Sequence, residues 1–346
     1  MAAEQSRAIV ATYAAQQASL IESIVRALLG LWFPFTGWRS PEMVRAQAAG
    51  SAAQVDIGLS ESRRLARAYA RMMLEDIDAL PQRLPTLEET YQRGQTPIVE
   101  VYERPAKQFI RELSTGKSVE EAAAAAEDRI RRLVATDVKT VARDETQRVY
   151  AASPKVIGHR RITHPELSKI GISCGLCVVA ASQFYKTDKL MPLHDGCNCT
   201  DGPITASEDP GLRLNRADLD QIYASAGSSL MEDLKKIRVT VREHGELGPV
   251  LAREGQHFKD VAEVNRQAKA PKFRPYSQMN LVEQLTMWDA MKTSSQRSIA
   301  TLEAARRRGT SSVDLAGTGR PITIPDIEKA IAYHLDLIAR ANHHLI

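Results

Sequence analysis

Cys174-Gly-Leu-Cys177, then sixteen residues, then His194-Asp-Gly-Cys197-Asn-Cys199: this stretch holds all four cysteines of the 346-residue chain. A C-x2-C pair followed at this distance by a second cluster of soft donors has the spacing of a zinc site. Zn2+ takes four ligands in a tetrahedron, and thiolate and imidazole are its usual donors. Two ligands three positions apart can come from one tight turn, so two such turns complete a shell. Gly175 and Gly196 each fall inside a turn, where a positive φ costs glycine little. Cys174 and Cys177 are the first pair. The second comes from His194, Cys197 and Cys199, one donor too many. In extended chain, residues i and i+2 point to opposite sides. That favours His194 with Cys197 and leaves Cys199 as substitute, unless the chain curls.

A thiolate-rich shell is usually closed and structural, whereas catalytic zinc keeps a water position open. His164-Pro165-Glu166 followed by Ser173-Cys174-Gly-Leu-Cys177 partly matches the nucleobase deaminase signature H-x-E…P-C-x-x-C. Seven residues between Glu166 and Cys174 are too few for two helices to carry the halves, and Ser173 stands where proline is expected. Disulfides are disfavoured because nothing marks export and a chain of this length buries a core without staples. The sequon Asn198-Cys-Thr200 carries no weight without a secretory signal.

Around these residues run Arg160-Arg-Ile-Thr-His-Pro-Glu-Leu-Ser168, Cys-Val-Val-Ala-Ala181, Tyr185-Lys-Thr-Asp188 and Leu190-Met-Pro-Leu-His194. Together they resemble the MuF-like minor capsid (head morphogenesis) proteins of tailed phages, above all the forms found in phages of actinobacteria. Val241-Arg-Glu-His-Gly-Glu-Leu-Gly-Pro-Val250 and Gly255-Gln-His-Phe258 resemble the end of that domain. The likeness runs from about Leu59 to Phe258 and is most specific at the cysteines. It implies a structural, non-enzymatic protein of the virion, made in the host cytoplasm and held inside the head near the portal vertex. The portal protein and non-specifically bound packaged DNA would be its partners, with the major capsid or scaffold protein as further candidates. The alternative is a zinc-dependent nuclease or deaminase using His159, His164 or His194, with no Ser/His/Asp set or P-loop to support another chemistry.

The fold class expected is mainly α with a small α+β zinc-binding module. Four parts follow in order: a helical segment over 1–58 with an aromatic anchor, helices over 59–152, the zinc-binding part over 153–264, and a basic helical appendage over 265–346. Alanine and arginine are abundant and aromatics make up 5% of the chain, which favours helix. Ile9, Tyr13, Leu20, Ile24 and Leu28 form one face of a first helix. Only twelve uncharged residues separate Arg26 from Arg39, against about 18 needed to span a bilayer. Trp32, Phe33, Phe35 and Trp38 are either a plug on the protein's own core or an anchor for a partner protein.

Ser40-Pro41 starts a helix. Leu65, Tyr69, Met72 and Ile77 stripe another that ends near Pro81. Thr86 with Glu89 and Ser118 with Glu121 are capping boxes. Ile130, Val134, Val138 and Val141 stripe a long helix on which Arg129, Arg131, Arg132, Lys139, Arg143 and Arg148 read as a solvated face. Val156–Thr163 is a strand, Val178–Ser182 a short segment, and Phe184 and Tyr185 cover the metal loops. Asn215 caps a helix with Leu219, Ile222 and Tyr223, and Ile237–Arg242 alternates as a strand with one dry face. In the appendage, Leu281, Leu285, Trp288 and Met291 stripe one helix, and Ile327, Ile331, Leu335 and Ile338 another. Gly317-Thr-Gly319 between them is too short to cradle phosphate. The chain carries a net charge of +4, and the residues from Asn265 onward carry +5 of positive balance against −1 for the rest. Arg306, Arg307 and Arg308 are therefore the candidate nucleic-acid contacts.

Overall fold

Helix α1 (Ala2–Trp32) opens the chain in the computed structural model, which describes residues 2–88, 93–168, 173–194, 196–216, 239–253, 255–268 and 274–345. It is followed by α2 (Pro41–Asp76), α3 (Ile98–Tyr102), α4 (Arg104–Ser114) and α5 (Val119–Ala151). The fold is mainly helical with a few short antiparallel strands. No helix among the described residues is long and apolar enough to cross a membrane. The chain divides into two compact units, each assembled from three separate segments. One comprises Met1–Leu28, Ala52–Ile98 and Arg132–Ala270; the other comprises Leu29–Ser51, Val99–Arg131 and Pro271–Ile346. The boundary at residue 58 of the sequential four-part division falls inside α2. Gly58 is there because Ile24 packs onto it: an added Cβ would lie 2.3 Å from the Ile24 methyl.

In the first unit the expected faces of α1 and α5 are buried. Tyr13, Ile24 and Leu28 turn inward, as do Val134, Val138 and Val141 of the α5 stripe; Ile130, on the part of α5 that belongs to the second unit, is buried too. Tyr13 stacks on Tyr69 with ring centroids 4.1 Å apart. On α2, Tyr69 is buried and Leu65 packs beside it as expected, Met73 faces the core in place of Met72, and Ile77, just past the helix end, packs on the cluster of Ala70, Leu74 and Val149. Ser40 accepts a bond from the Met43 amide at 3.3 Å, and Ser118 and Glu121 close a reciprocal capping box at 2.8 and 3.2 Å. Residues 86–88 are not helical, and Glu89 lies outside the described residues.

Strand β1 (Val156–Ile162) is the centre of a three-stranded antiparallel sheet between β2 (Tyr185–Lys186) and β3 (Thr200–Thr205). Helix α6 (Gly175–Ala181) fills the connection. Strands β4 (Val239–His244) and β5 (Gly248–Arg253) form a hairpin, with Arg242 opposite Val250. The dry face expected on β4 is on its partner instead. Val241 is 57% exposed, whereas Val250, Leu251 and Ala252 are buried. Ile237 and Arg238 lie outside the described residues, as do Leu219, Ile222 and Tyr223. Asn215 sits within a helical stretch over 210–216 rather than before one. It accepts a bond from the Thr163 amide and donates to the Arg161 carbonyl. Helix α7 (Val261–Ala268) closes this unit.

The second unit holds α8 (Leu281–Arg307), a two-residue-per-strand hairpin of β6 (Ser312–Val313) and β7 (Ile322–Thr323), and α9 (Ile327–Leu345). Its core gathers Leu302, Ala305, Val313, Ile324, Ala330 and Ile331. The α8 stripe is displaced, while on α9 Ile327 and Ile331 pack into this core as expected. Leu281 is exposed and the buried positions of α8 lie later, while on α9 Leu335 is 52% exposed and His334 takes the inward place. The Asp314 carboxylate occupies the amides of Thr318 and Gly319, so that loop cradles its own side chain.

Candidate metal centre

Each knuckle of the Cys/His stretch is built by a different local device. Cys174 is the N-cap of α6, and its sulfur accepts a bond from the Cys177 amide at 3.4 Å. That turn places both thiols on one side. The second knuckle is a turn closed by the Cys197 amide on the His194 carbonyl at 3.1 Å, with Gly196 at φ +72°. The chain curls here. Cys197 and Cys199 both turn inward, although alternation in an extended chain would have separated them. Cys199 then leads directly into β3.

All five expected donors converge. Cys174, Cys177 and His194 have ligand atoms within 4.8 Å of one another, and so do Cys177, Cys197 and Cys199, with Cys177 shared. The His194 Nε2 lies 3.0 Å from the Cys174 sulfur and 2.9 Å from that of Cys177. The sulfurs of Cys177 and Cys197 are 3.7 Å apart. Thiolates at ~2.3 Å from a tetrahedral ion would be separated by roughly 3.8 Å, so this edge already has the length a metal requires. These groups could hold a metal ion. All four cysteines are unpaired by disulfides.

Without a cation the cluster shares its protons unevenly. Bonds from Cys177 and His194 hold the Cys174 thiol down to about 4. Interactions with Cys174, Cys197 and Cys199 push Cys177 up. Burial opposes charge on His194, yet the thiolates of Cys174 and Cys197 raise it to about 10. A ring of soft donors competing for protons in this way is what a dication would relieve.

Apolar side chains seal the inner side: Met191, Leu193 and the ring of Tyr185 pack against Cys177, Cys197 and Cys199. Phe184, expected beside Tyr185, instead lies against Gly158 and is half-exposed. Three cations with no counterpart in the sequence-based reading complete the surround. Arg161, fully buried on β1, donates to the sulfurs of Cys197 at 3.2 Å and Cys177 at 3.7 Å and to the Pro192 carbonyl. Lys139 reaches the Asn198 carbonyl between two of the donors. Arg143 binds the carbonyls of Met191, Leu247 and Pro249 at 2.9–3.2 Å. Lys139 and Arg143 are therefore internal, not part of a solvated face. Burial lowers both, Arg143 to about 10, and neighbouring thiolates oppose it. Their only signal in the sequence is an i,i+4 spacing on the same side as Val138 and Ala142. Arg160 fixes the first knuckle from behind, donating to the Ser182 carbonyl at 2.7 Å and to Asp209.

The other histidines of this region are used elsewhere. His159 lies between the Asp201 carboxylate, 3.2 Å from Nδ1, and the Lys189 carbonyl, 2.8 Å from Nε2. His164 bonds Glu166 through Nδ1 at 2.7 Å and the Thr200 hydroxyl through Nε2 at 2.9 Å. That bond from His164 holds the Glu166 carboxyl below its ordinary range.

Of the candidate partner residues, three turn inward. Trp32 is 2% exposed and donates to Ser51 at 2.9 Å, Phe35 packs edge-on to it, and Trp38 stacks on Phe109 at 4.4 Å. Phe33 alone projects, 94% exposed. Arg306, Arg307 and Arg308 lie at the end of α8, not in a loop. Arg306 pairs with Glu328 at 2.9 Å and Arg307 with Glu303 at 3.9 Å. Comparison of the chain with family models, curated proteins and solved structures returns no match.

Proposed function

We propose that this chain is a minor capsid, or head morphogenesis, protein of the MuF-like kind, carrying one structural Zn2+. In this reading the ion is held by Cys174, Cys177, His194 and Cys197, with Cys199 as an alternative donor. The convergence of two knuckles on one thiolate-rich point, sealed by apolar side chains on its inner side, is the observation that carries it. Such a shell stabilises structure instead of presenting an open coordination position to substrate. The deaminase or nuclease alternative has less support, because the carboxylate it would use, Glu166, is bonded to His164.

In the same reading the protein sits inside the head, near the portal vertex and the packaged DNA. The basic balance of the C-terminal region then acts mainly through Arg266, Lys269, Lys272 and Arg274, since residues 281–346 alone are nearly neutral. Peptide mass spectrometry of purified, DNA-filled particles should find the chain, and elemental analysis of protein purified without added metal should find one zinc. Absence from both mature particles and assembly intermediates refutes the capsid assignment. Folded protein with no bound metal refutes the zinc.

A further inference from the structure

Arg161 is the largest of the fully buried side chains, and it has been placed among sulfurs. Its guanidinium meets Cys197, Cys177 and the Pro192 carbonyl, and its Nε has no hydrogen-bond partner. Among the described residues no carboxylate lies within ion-pair distance of it. A buried guanidinium without an anion costs several kcal/mol, and arginine cannot shed its proton to escape that cost. The anions that balance it must therefore be the sulfurs themselves.

That requirement constrains what the cluster can hold. Four neutral thiols, or two disulfides, would leave Arg161 uncompensated. A divalent ion with two thiolates and two neutral donors is also uncharged. Three thiolates and His194 around a dication carry one negative charge, which Arg161 balances singly. A fourth thiolate would add a second, and Lys139 is the next buried cation in place, bonded to the carbonyl between Cys197 and Cys199. We propose that Arg161 is the built-in counter-cation of a net-negative metal–thiolate shell, so that the site takes a divalent soft-ligand metal only with at least three of its four cysteines bound as thiolate. The inference rests on the metal-binding reading above. It adds a positioning residue, held one strand away from the ligands, that selects the shell's charge.

Co2+ loaded into the purified full chain tests it. Thiolate-to-cobalt charge-transfer intensity per bound ion counts the sulfurs, and single Cys→Ser variants calibrate each step. At least three thiolates are expected. Arg161→Met should weaken Co2+ and Zn2+ binding about 10–100-fold by chelator competition, the range for lost outer contacts to metal ligands. Arg161→Lys, which restores the charge without the fork, should recover part of that loss. A two-thiolate spectrum overturns the proposal, and so does a folded Arg161→Met with affinity within about twofold of the parent. Should Arg161→Met fail to fold, the thiolate count on the parent chain and the Arg161→Lys affinity still decide. Absence of any metal binding by the parent chain removes the metal reading itself, a result distinct from either.

Discussion

The sheet around β1 and the helical hairpin of α8 and α9 bury polar groups on opposite terms. Around β1, charge goes inside and almost every charge is answered. Arg161 meets sulfurs, Arg160 meets Asp209, and Thr146 donates to Asp201 beside His159. The hairpin keeps its charges at the surface in pairs such as Arg306 with Glu328. Its inward polar side chain, His334, is 8% exposed with neither ring nitrogen bonded. The first region needs its charges answered by partners and, in the proposed reading, by a bound cation. The second depends on apolar packing and tolerates a polar group only while it stays neutral.

If the Cys/His cluster holds the proposed zinc, the sharpest way to break this contrast is to remove it. Structural zinc supplies folding free energy directly, on the order of 10 kcal/mol in small sites. Chelation, or Cys177→Ser, should raise amide hydrogen exchange across 156–205 by orders of magnitude while leaving α8 and α9 protected. Equal loss of protection in both regions would show that the hairpin is not independent of the cluster. A smaller and opposite effect is expected from Leu302→Ala, which opens a cavity in the hairpin core. Such truncations cost about 2–5 kcal/mol. The melting profile should fall with metal content unchanged, as read by elemental analysis.

His334 sharpens the contrast through pH. Burial holds its imidazole below the ordinary value near 6.5. The unfolded chain therefore takes up a proton first as pH falls, so the contribution is intact above about 6.5 and is lost on acidification below it. His334→Leu should flatten the decline in hairpin protection below pH 6.5. An unchanged slope would mean that the ring is not the group responsible. The smallest effect is reserved for Phe33→Ser. A projecting side chain should shift stability by less than about 0.5 kcal/mol, whereas Trp32→Ser should cost several times more by emptying the stacked cluster. If Phe33→Ser is destabilising in the isolated chain, the ring is part of the core after all.

The convergence of the Cys/His donors was readable from the sequence because its spacing is chemical. C-x2-C and His-x2-Cys-x-Cys admit few other uses, and the spacing alone points to all five donors. The shell around it was not readable. Lys139 and Arg143 look like any solvated helix face, and only the carbonyls of Met191, Asn198, Leu247 and Pro249, brought onto α5 by the fold, turn them inward. Periodicity found the buried faces of α1 and α5, where apolar residues outnumber exceptions. It erred at single positions: Met73 packs in place of Met72 on α2, and on α9 the more apolar Leu335 faces out while His334 faces in. The aromatic run at 32–38 carried too little information to separate a plug from an anchor. Three of its rings proved to be internal and one external.

The interleaving of the two units has a consequence for synthesis on the ribosome. Neither unit is complete when its first helix emerges, because each draws its last segment from far downstream. The second unit begins with residues 29–51 and 99–131, yet α4 meets α9 only after 327–345 have been made. At roughly 5–20 residues per second, the roughly 230 residues between the end of α4 and the end of α9 take about 12–46 s to appear. For that interval the side of α4 that receives α9 has no cover from its own chain. A slow stretch of codons after residue 270 would lengthen the exposure, and a chaperone that grips short apolar helices would find its opportunity there.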